Sequence, residues 1–183
     1  PITRIALTHA HDDHVGALDA LRTALPQATV YISARDARLL AGDRSLDAGE
    51  ANTPIRGGVP KKVKTRPDVT LQEGDRVGSL VAIAVPGHTP GAMAYEDTRS
   101  GVIIAGDAFQ TRGGLAVSGQ VNVSFPFPAM ATWSKLDALH SARKLRERKP
   151  TLLAVGHGKM LEAPCAAMNK AIALAERKLE GGR

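Results

Sequence analysis

The segment His9-Ala10-His11-Asp12-Asp13-His14 sets four potential metal ligands, His9, His11, Asp13 and His14, within six residues and uses three of the chain's six histidines. Residues 2–7 (Ile-Thr-Arg-Ile-Ala-Leu) read as a short buried strand, and residues 15–25 carry Val15, Leu18, Leu21 and Leu25 at helical spacing. The histidine-rich segment is therefore a strand-to-helix loop. Alternation along extended backbone aims His9 and His11 the same way, while Asp13 and His14 open the helix and face a second position nearby. This arrangement suits two metal ions side by side, and any fold for the chain must bring further ligands to the end of that first strand.

At 183 residues, 43% apolar and 23% charged, the chain is long enough for one globular domain with a sizeable core and too short for two ordinary ones. No apolar run is long enough to cross a bilayer, and Arg4 followed at once by the histidine loop does not read as a secretory leader. Cys165 is the only cysteine, so no intrachain disulfide forms and a cytoplasmic, reducing compartment is expected, with an N-terminal signal outside this sequence left open. Cys165 itself reads as a packed small residue. The net charge of +6 invites a nucleic-acid partner, but the basic residues Lys61, Lys62, Lys64 and Arg66 lie in a loop, those of 143–149 are interspersed with Glu147, and six aromatics leave little for base stacking. A small-molecule substrate is expected, with neither nucleic acid nor membrane as partner.

Along the chain, strand 28–32 and helix 34–40 continue the alternation. Residues 41–67, rich in Gly, Pro, Asp and Lys and including Gly57-Gly58, show no sustained period and form a connection long enough to be a functional flap or an oligomer contact. Strands are expected at 69–71, 77–85, 92–96, 102–105 and 152–155, with several antiparallel pairings. A loop spans 109–131. Helices are expected at 133–148, burying Leu136, Leu139, Ala142 and Leu145, and at 166–179. The fold class is α/β or α+β, a layered sandwich.

Three strands end in a ligand type beside glycine: Pro86-Gly87-His88-Thr89-Pro90-Gly91, Gly106-Asp107 and Gly156-His157-Gly158. Glycine permits the close backbone approach that a crowded site requires. With the first loop they make five imidazoles and two carboxylates, enough for two clusters of three ligands and one bridging carboxylate, a set suited to zinc. His140, on a helix, is a surface or packing residue.

These motifs, in this order, resemble the metallo-β-lactamase superfamily over nearly the whole chain. The resemblance implies one domain over 1–183 with an αββα sandwich, metals at one edge of the two sheets, and two divalent ions, zinc with iron or manganese as alternatives. It implies that His9, His11 and His88 hold the first metal, that Asp13, His14 and His157 hold the second, and that Asp107 bridges them. Family members carry several strands before the first motif, so the chain reads as an N-terminally truncated portion whose open sheet edge favours a homo-oligomer or strand exchange.

A water bridging two divalent ions becomes a nucleophile near neutral pH, with Asp13 placed to orient it and accept its proton as the catalytic carboxylate. Asp107 is absent from the true β-lactamases of the family, so the lactonase and glyoxalase II-like branches are the better match, and His11 replaces the Glu of the diiron oxygen reductases. The expected activity is hydrolysis of a small ester, lactone or thioester; a phosphodiesterase or nuclease and an inactive metal-binding fragment are the alternatives. In acyl-homoserine lactonases a tyrosine closely follows the bridging Asp; here the stretch is Ala108-Phe109-Gln110-Thr111-Arg112. Phe109, Gln110, Arg112, Phe125 and Phe127 are the substrate-pocket candidates, the last two walling an apolar pocket or packing the following helix.

Overall fold

The computed structural model describes residues 1–181. Strands β1 (Arg4–Ala6), β2 (Thr29–Ser33) and β3 (Val69–Leu71) form a three-stranded, wholly parallel sheet in that order. Strands β4 (Arg76–Val77), β5 (Leu80–Ala84), β6 (Met93–Asp97) and β7 (Val102–Ile104) run as an antiparallel meander. A short ribbon of β8 (Phe109–Gln110) and β9 (Ala116–Val117) follows. Strand β10 (Leu152–Ala154) then adds in parallel beside β7, and β11 (Leu161–Glu162) closes that edge, giving the order β11-β10-β7-β6-β5-β4.

The helices are α1 (Asp12–Val15), α2 (Leu18–Ala24), α3 (Ala34–Leu40), α4 (Phe127–Ala131), α5 (Lys135–Glu147) and α6 (Cys165–Glu180). The β-strand period of two sorts side chains into three cores. On β2, Val30 and Ile32 face an outer core with Leu18 and Leu39, while Tyr31 faces inward. On β5 and β6, Ala82, Met93 and Tyr95 fill the space between the sheets, whereas Ile83 and Ala94 join Leu139, Leu145, Leu153 and Met168 beneath α5 and α6. The layers are therefore αββα. Leu153 is fully buried, and trimming such a leucine to alanine typically costs about 2–5 kcal/mol.

Several sequence expectations are corrected. The several antiparallel pairings expected are present, but parallel pairings occur as well at β1–β2, β2–β3 and β7–β10, where a helix or a long crossover joins the strands, as parallel neighbours require. The expected helix 15–25 breaks at Gly16 and Ala17, so α1 aims Asp13 and His14 independently of α2, and Leu21 is exposed. The expected strand 77–85 is divided by a turn at Gly78. The stretch 109–131 is not a plain loop but contains β8, β9 and α4. Leu136 is 52% exposed, because the first turn of α5 lies beside a surface cleft with Pro90 and Trp133 rather than over the sheet.

Two connections place the site. The Tyr95 hydroxyl donates to the Leu7 carbonyl at 2.7 Å and Met93 N–H donates to the Thr8 carbonyl at 2.8 Å, so the end of β1 is tied to β6 and the loop beginning at His9 lies beside the β5–β6 connection that carries His88. Residues 41–67 are held rather than loose. Arg38 pairs with Asp43 and Asp47, Arg35 with Glu50, and Asp19 accepts from the Lys64 and Thr65 amides. Trp133 Nε1 donates to the Thr53 carbonyl at 2.9 Å, and Thr53 Oγ1 returns a bond to the Trp133 carbonyl at 3.1 Å. Ile55 and Val59 are buried by this seating.

Candidate metal centre

His9, His11 and His88 converge as three mutually near-perpendicular rings with centroids 4.7–4.9 Å apart. All three are buried, and one ring nitrogen of each lies within 4.8 Å of the others. Asp13, His14 and His157 form a second such group, more open to solvent. Between them lies buried Asp107, with Oδ1 3.4 Å from His14 Nε2 and Oδ2 3.3 Å from His88 Nε2 and 3.2 Å from His157 Nε2. Asp107 Oδ2 thus faces a histidine of each group, and Oδ1 faces His14. The short 3₁₀ turn Gly106–Ala108 presents it, and Gly156 leaves room for it: a Cβ there would lie 2.2 Å from Asp107 Oδ1.

The hydrogen-bond network assigns the tautomers. His11 Nε2 lies 3.0 Å from the Arg56 carbonyl oxygen, which can only accept, so Nε2 carries the proton and Nδ1 the lone pair. The Thr132 hydroxyl donates to the Pro128 carbonyl at 2.7 Å and therefore accepts from Ser118 Oγ at 2.8 Å. Ser118 in turn accepts from His88 Nδ1 at 3.0 Å, leaving the lone pair on His88 Nε2. The lone pairs of His11 Nδ1 and His88 Nε2 then face one another at 3.0 Å. His9 Nε2, His14 Nε2 and Asp107 Oδ1 are also buried without a hydrogen-bond partner.

A shared cation resolves this convergence of acceptors, and a proton is a poor substitute. Burial pushes His88 down to about 3 and holds His9 well below the usual imidazole range, with neighbouring imidazoles adding to the effect; burial also lowers His11. Burial alone would raise Asp107, but its contacts with His14 and His157 and the nearby His88 and His9 hold it well below the usual carboxylate range. His157 is raised, first by its contact with Asp107. Neutral His9, His11 and His88 beside an ionised Asp107 are the protonation states a divalent metal needs, and the residues present fit such ions.

A cavity of about 440 Å³ opens over these groups. Gly57 and Gly58 form one side, and Phe125, Phe127, Pro128 and Met130 form the other. No lysine or arginine is among its described lining residues.

The sequence matches the family model described as the metallo-beta-lactamase superfamily over residues 1–157. The chain belongs to the metallo-beta-lactamase superfamily. It is 55% identical over 177 residues to an uncharacterized protein of Bacillus subtilis, YobT, spanning 97% of this chain and 76% of that protein. It is 33% identical over 142 residues to a hydroxyacylglutathione hydrolase of Fuscovulum blasticum, spanning 75% of this chain but only 44% of that enzyme. Among solved structures, TTHA1623 in a di-iron-bound form aligns with a TM-score of 0.64 at 29% identity, covering 91% of this chain and 75% of that one. The αββα layering of this chain is the metallo-beta-lactamase fold seen in these neighbours.

The structure brings together all seven residues that the resemblance assigns to metals, including Asp13, whose side chain is 59% exposed. It divides the pocket candidates. Phe125 and Phe127 line the cavity. Phe109 does not: it is fully buried in the core beneath α5 and α6, because β8 turns its ring inward. Gln110 is buried with both amide atoms unpartnered and lies outside the cavity lining. Arg112 is exposed and stacks over the Phe125 ring at 4.6 Å without lining the cavity. Sequence reasoning missed Asp36, Ser118, Thr132 and Met130. For Asp36 a signal existed, since it falls at helical spacing with the buried Leu39 and Leu40.

Proposed function

We propose that this chain is a metal-dependent hydrolase of a small ester, lactone or thioester. In this reading His9, His11 and His88 hold one divalent ion, Asp13, His14 and His157 hold a second, and Asp107 lies between them. The observation that carries it is the pair of opposed lone pairs on His11 Nδ1 and His88 Nε2, together with the unpartnered His9, His14 and Asp107 atoms beside them. Imidazole and carboxylate donors suit zinc, and iron or manganese also accept this set. Bound divalent ions lower the pKa of water toward neutrality and polarise a carbonyl oxygen.

The chain's own groups supply the rest. Asp13 Oδ2, 3.2 Å from His157 Nε2 and facing the open cavity, is the carboxylate able to take a proton from an attacking water. Gly57 and Gly58 let an acyl group approach backbone without obstruction, and Phe125 and Phe127 offer it apolar surface. That no lysine or arginine is among the described residues of the lining favours a carbonyl substrate over a phosphodiester.

The test strips the protein with a chelator, restores it with zinc, and assays an aryl ester, a lactone, a thioester and bis-p-nitrophenyl phosphate in parallel. Carbonyl hydrolysis that disappears and returns with metal is expected. Hydrolysis that persists after complete metal removal, or that is confined to the phosphodiester, refutes the reading.

A further inference from the structure

Phe127 and Met130, each 65% exposed, line the cavity together with Phe125 and Pro128. Large apolar side chains left in water at the rim of a reactive site mark a place where apolar surface is covered during function. Gly57 and Gly58 also line the cavity, where there is no space for side chains: a Cβ at Gly57 would lie 2.5 Å from His11 Nε2 and one at Gly58 2.9 Å from Asp12 Oδ2. The lining thus combines bare backbone with aromatic and thioether side chains.

This apolar lip is rigidly registered to the centre. Phe125 is held between Arg112, 4.6 Å over its ring, and the His157 ring, with centroids 5.3 Å apart, and it meets Phe127 edge-on at 5.5 Å. Helix α4, which carries Phe127 and Met130, is tied through the Pro128 carbonyl, Thr132 and Ser118 to His88 Nδ1. A chain lying on the lip therefore has its first atoms delivered to the group of imidazoles.

We infer that the substrate carries an apolar acyl chain, which lies along Phe125, Phe127 and Met130 while its carbonyl enters between His88 and His157. This rests on the hydrolase reading above and deepens it. The occupant is the substrate itself because the apolar surface is continuous with the cavity that contains the candidate ligands, and no described cation lines that cavity to hold an anionic tail.

The experiment measures kcat/KM of the zinc-loaded protein on p-nitrophenyl esters of increasing acyl length, from acetyl to decanoyl. Each methylene buried against the lip is expected to raise kcat/KM by roughly threefold until the lip is covered. In Phe127→Ser and Met130→Ser the gain per methylene flattens, with zinc content and circular dichroism confirming that the variants are folded. Sedimentation of the same proteins reads their association state.

A length-dependent rise that flattens in the variants supports the inference. Hydrolysis of every ester at one rate overturns it while leaving the hydrolase reading intact, and a rise that survives both substitutions overturns the lip assignment. Variants that change the association state without altering the length dependence reassign the lip to a contact between copies. Failure to hydrolyse any ester, lactone or thioester overturns the hydrolase reading itself.

Discussion

The Thr89 hydroxyl donates to Asp36 Oδ2 at 2.8 Å, inside a region where Asp36 is wholly buried. The same carboxylate accepts from the Ala10 amide at 2.9 Å and from the Gly91 amide at 2.9 Å. Ala10 separates His9 from His11, and Thr89 follows His88. One side chain, at the start of α3, thus sets the spacing between the two loops that carry these three histidines. Burial pushes its carboxyl pKa up, and the three hydrogen bonds oppose that rise.

Asp36→Asn keeps the shape but turns an amide NH2 toward a donor. Metal-binding sites typically lose about 10–100-fold in affinity when such an outer partner is replaced. We expect a loss of that size in zinc affinity, measured by competition with a chelating dye, and a lower melting temperature without metal. Wild-type zinc affinity in a folded Asp36→Asn protein would refute the registering role.

Thr132→Val removes the hydroxyl that orders Ser118 and, through it, His88 Nδ1. Weaker zinc binding is expected, with recovery in Thr132→Ser, which restores the hydroxyl without the methyl group. Equal affinity in Thr132→Val and Thr132→Ser would show that packing alone, rather than the hydrogen-bonded chain, positions His88.

Gly57→Ala and Gly49→Ala make a matched pair. Both glycines have positive φ, +83° and +89°, so both substitutions strain the backbone, but a Cβ at Gly49 meets nothing within 4 Å whereas one at Gly57 strikes His11. Both variants are expected to lose stability by a similar amount. Only Gly57→Ala is expected to lose zinc affinity; a comparable loss in Gly49→Ala would assign the effect to loop strain instead.

Acid should unseat residues 41–67 before it unfolds the cores. Hydrogen bonds from Ser45, then Arg38, hold the Asp43 carboxyl down at about 2, and Arg38 lowers Asp47 while Arg35 lowers Glu50. Carboxylates depressed by the fold contribute stability above their unfolded pKa, near 4, and lose it as pH falls through the folded value. Trp133, the only tryptophan, is bonded to Thr53 in this segment and reports its seating. Its emission should shift to the red between about pH 4 and pH 2 while far-ultraviolet circular dichroism persists. Simultaneous loss of both signals would show that the segment has no separate transition.

The loops that converge at the cavity were legible in the sequence through local patterns: a histidine-rich segment after the first strand, and three strand ends with His88, Asp107 or His157 beside glycine. Helix α3 was legible for the same reason: Ser33 caps it by accepting from the Asp36 amide at 3.0 Å, and its apolar spacing is regular. What sequence could not supply is what distant segments do to one another. Ser118 and Thr132 are unremarkable residues in irregular chain, made important only by the position of His88. Phe109 follows Asp107 closely in sequence, but Asp107 sits in a 3₁₀ turn and β8 begins at Phe109, which turns its ring into the core beneath α5 and α6. Leu136 fits the apolar spacing of α5 but lies in a turn that the sheet does not cover.

The parallel insertion of β10 beside β7 has a further consequence. It brings His157 to residues that the chain lays down in its first fourteen positions, across a crossover containing α5. No short stretch of the unfolded chain holds either group of three complete, so affinity for a pair of ions would be gained only when both sheets have docked. Metal uptake would then serve as a certificate of completed folding, and a chelator would act on this protein as a mild denaturant.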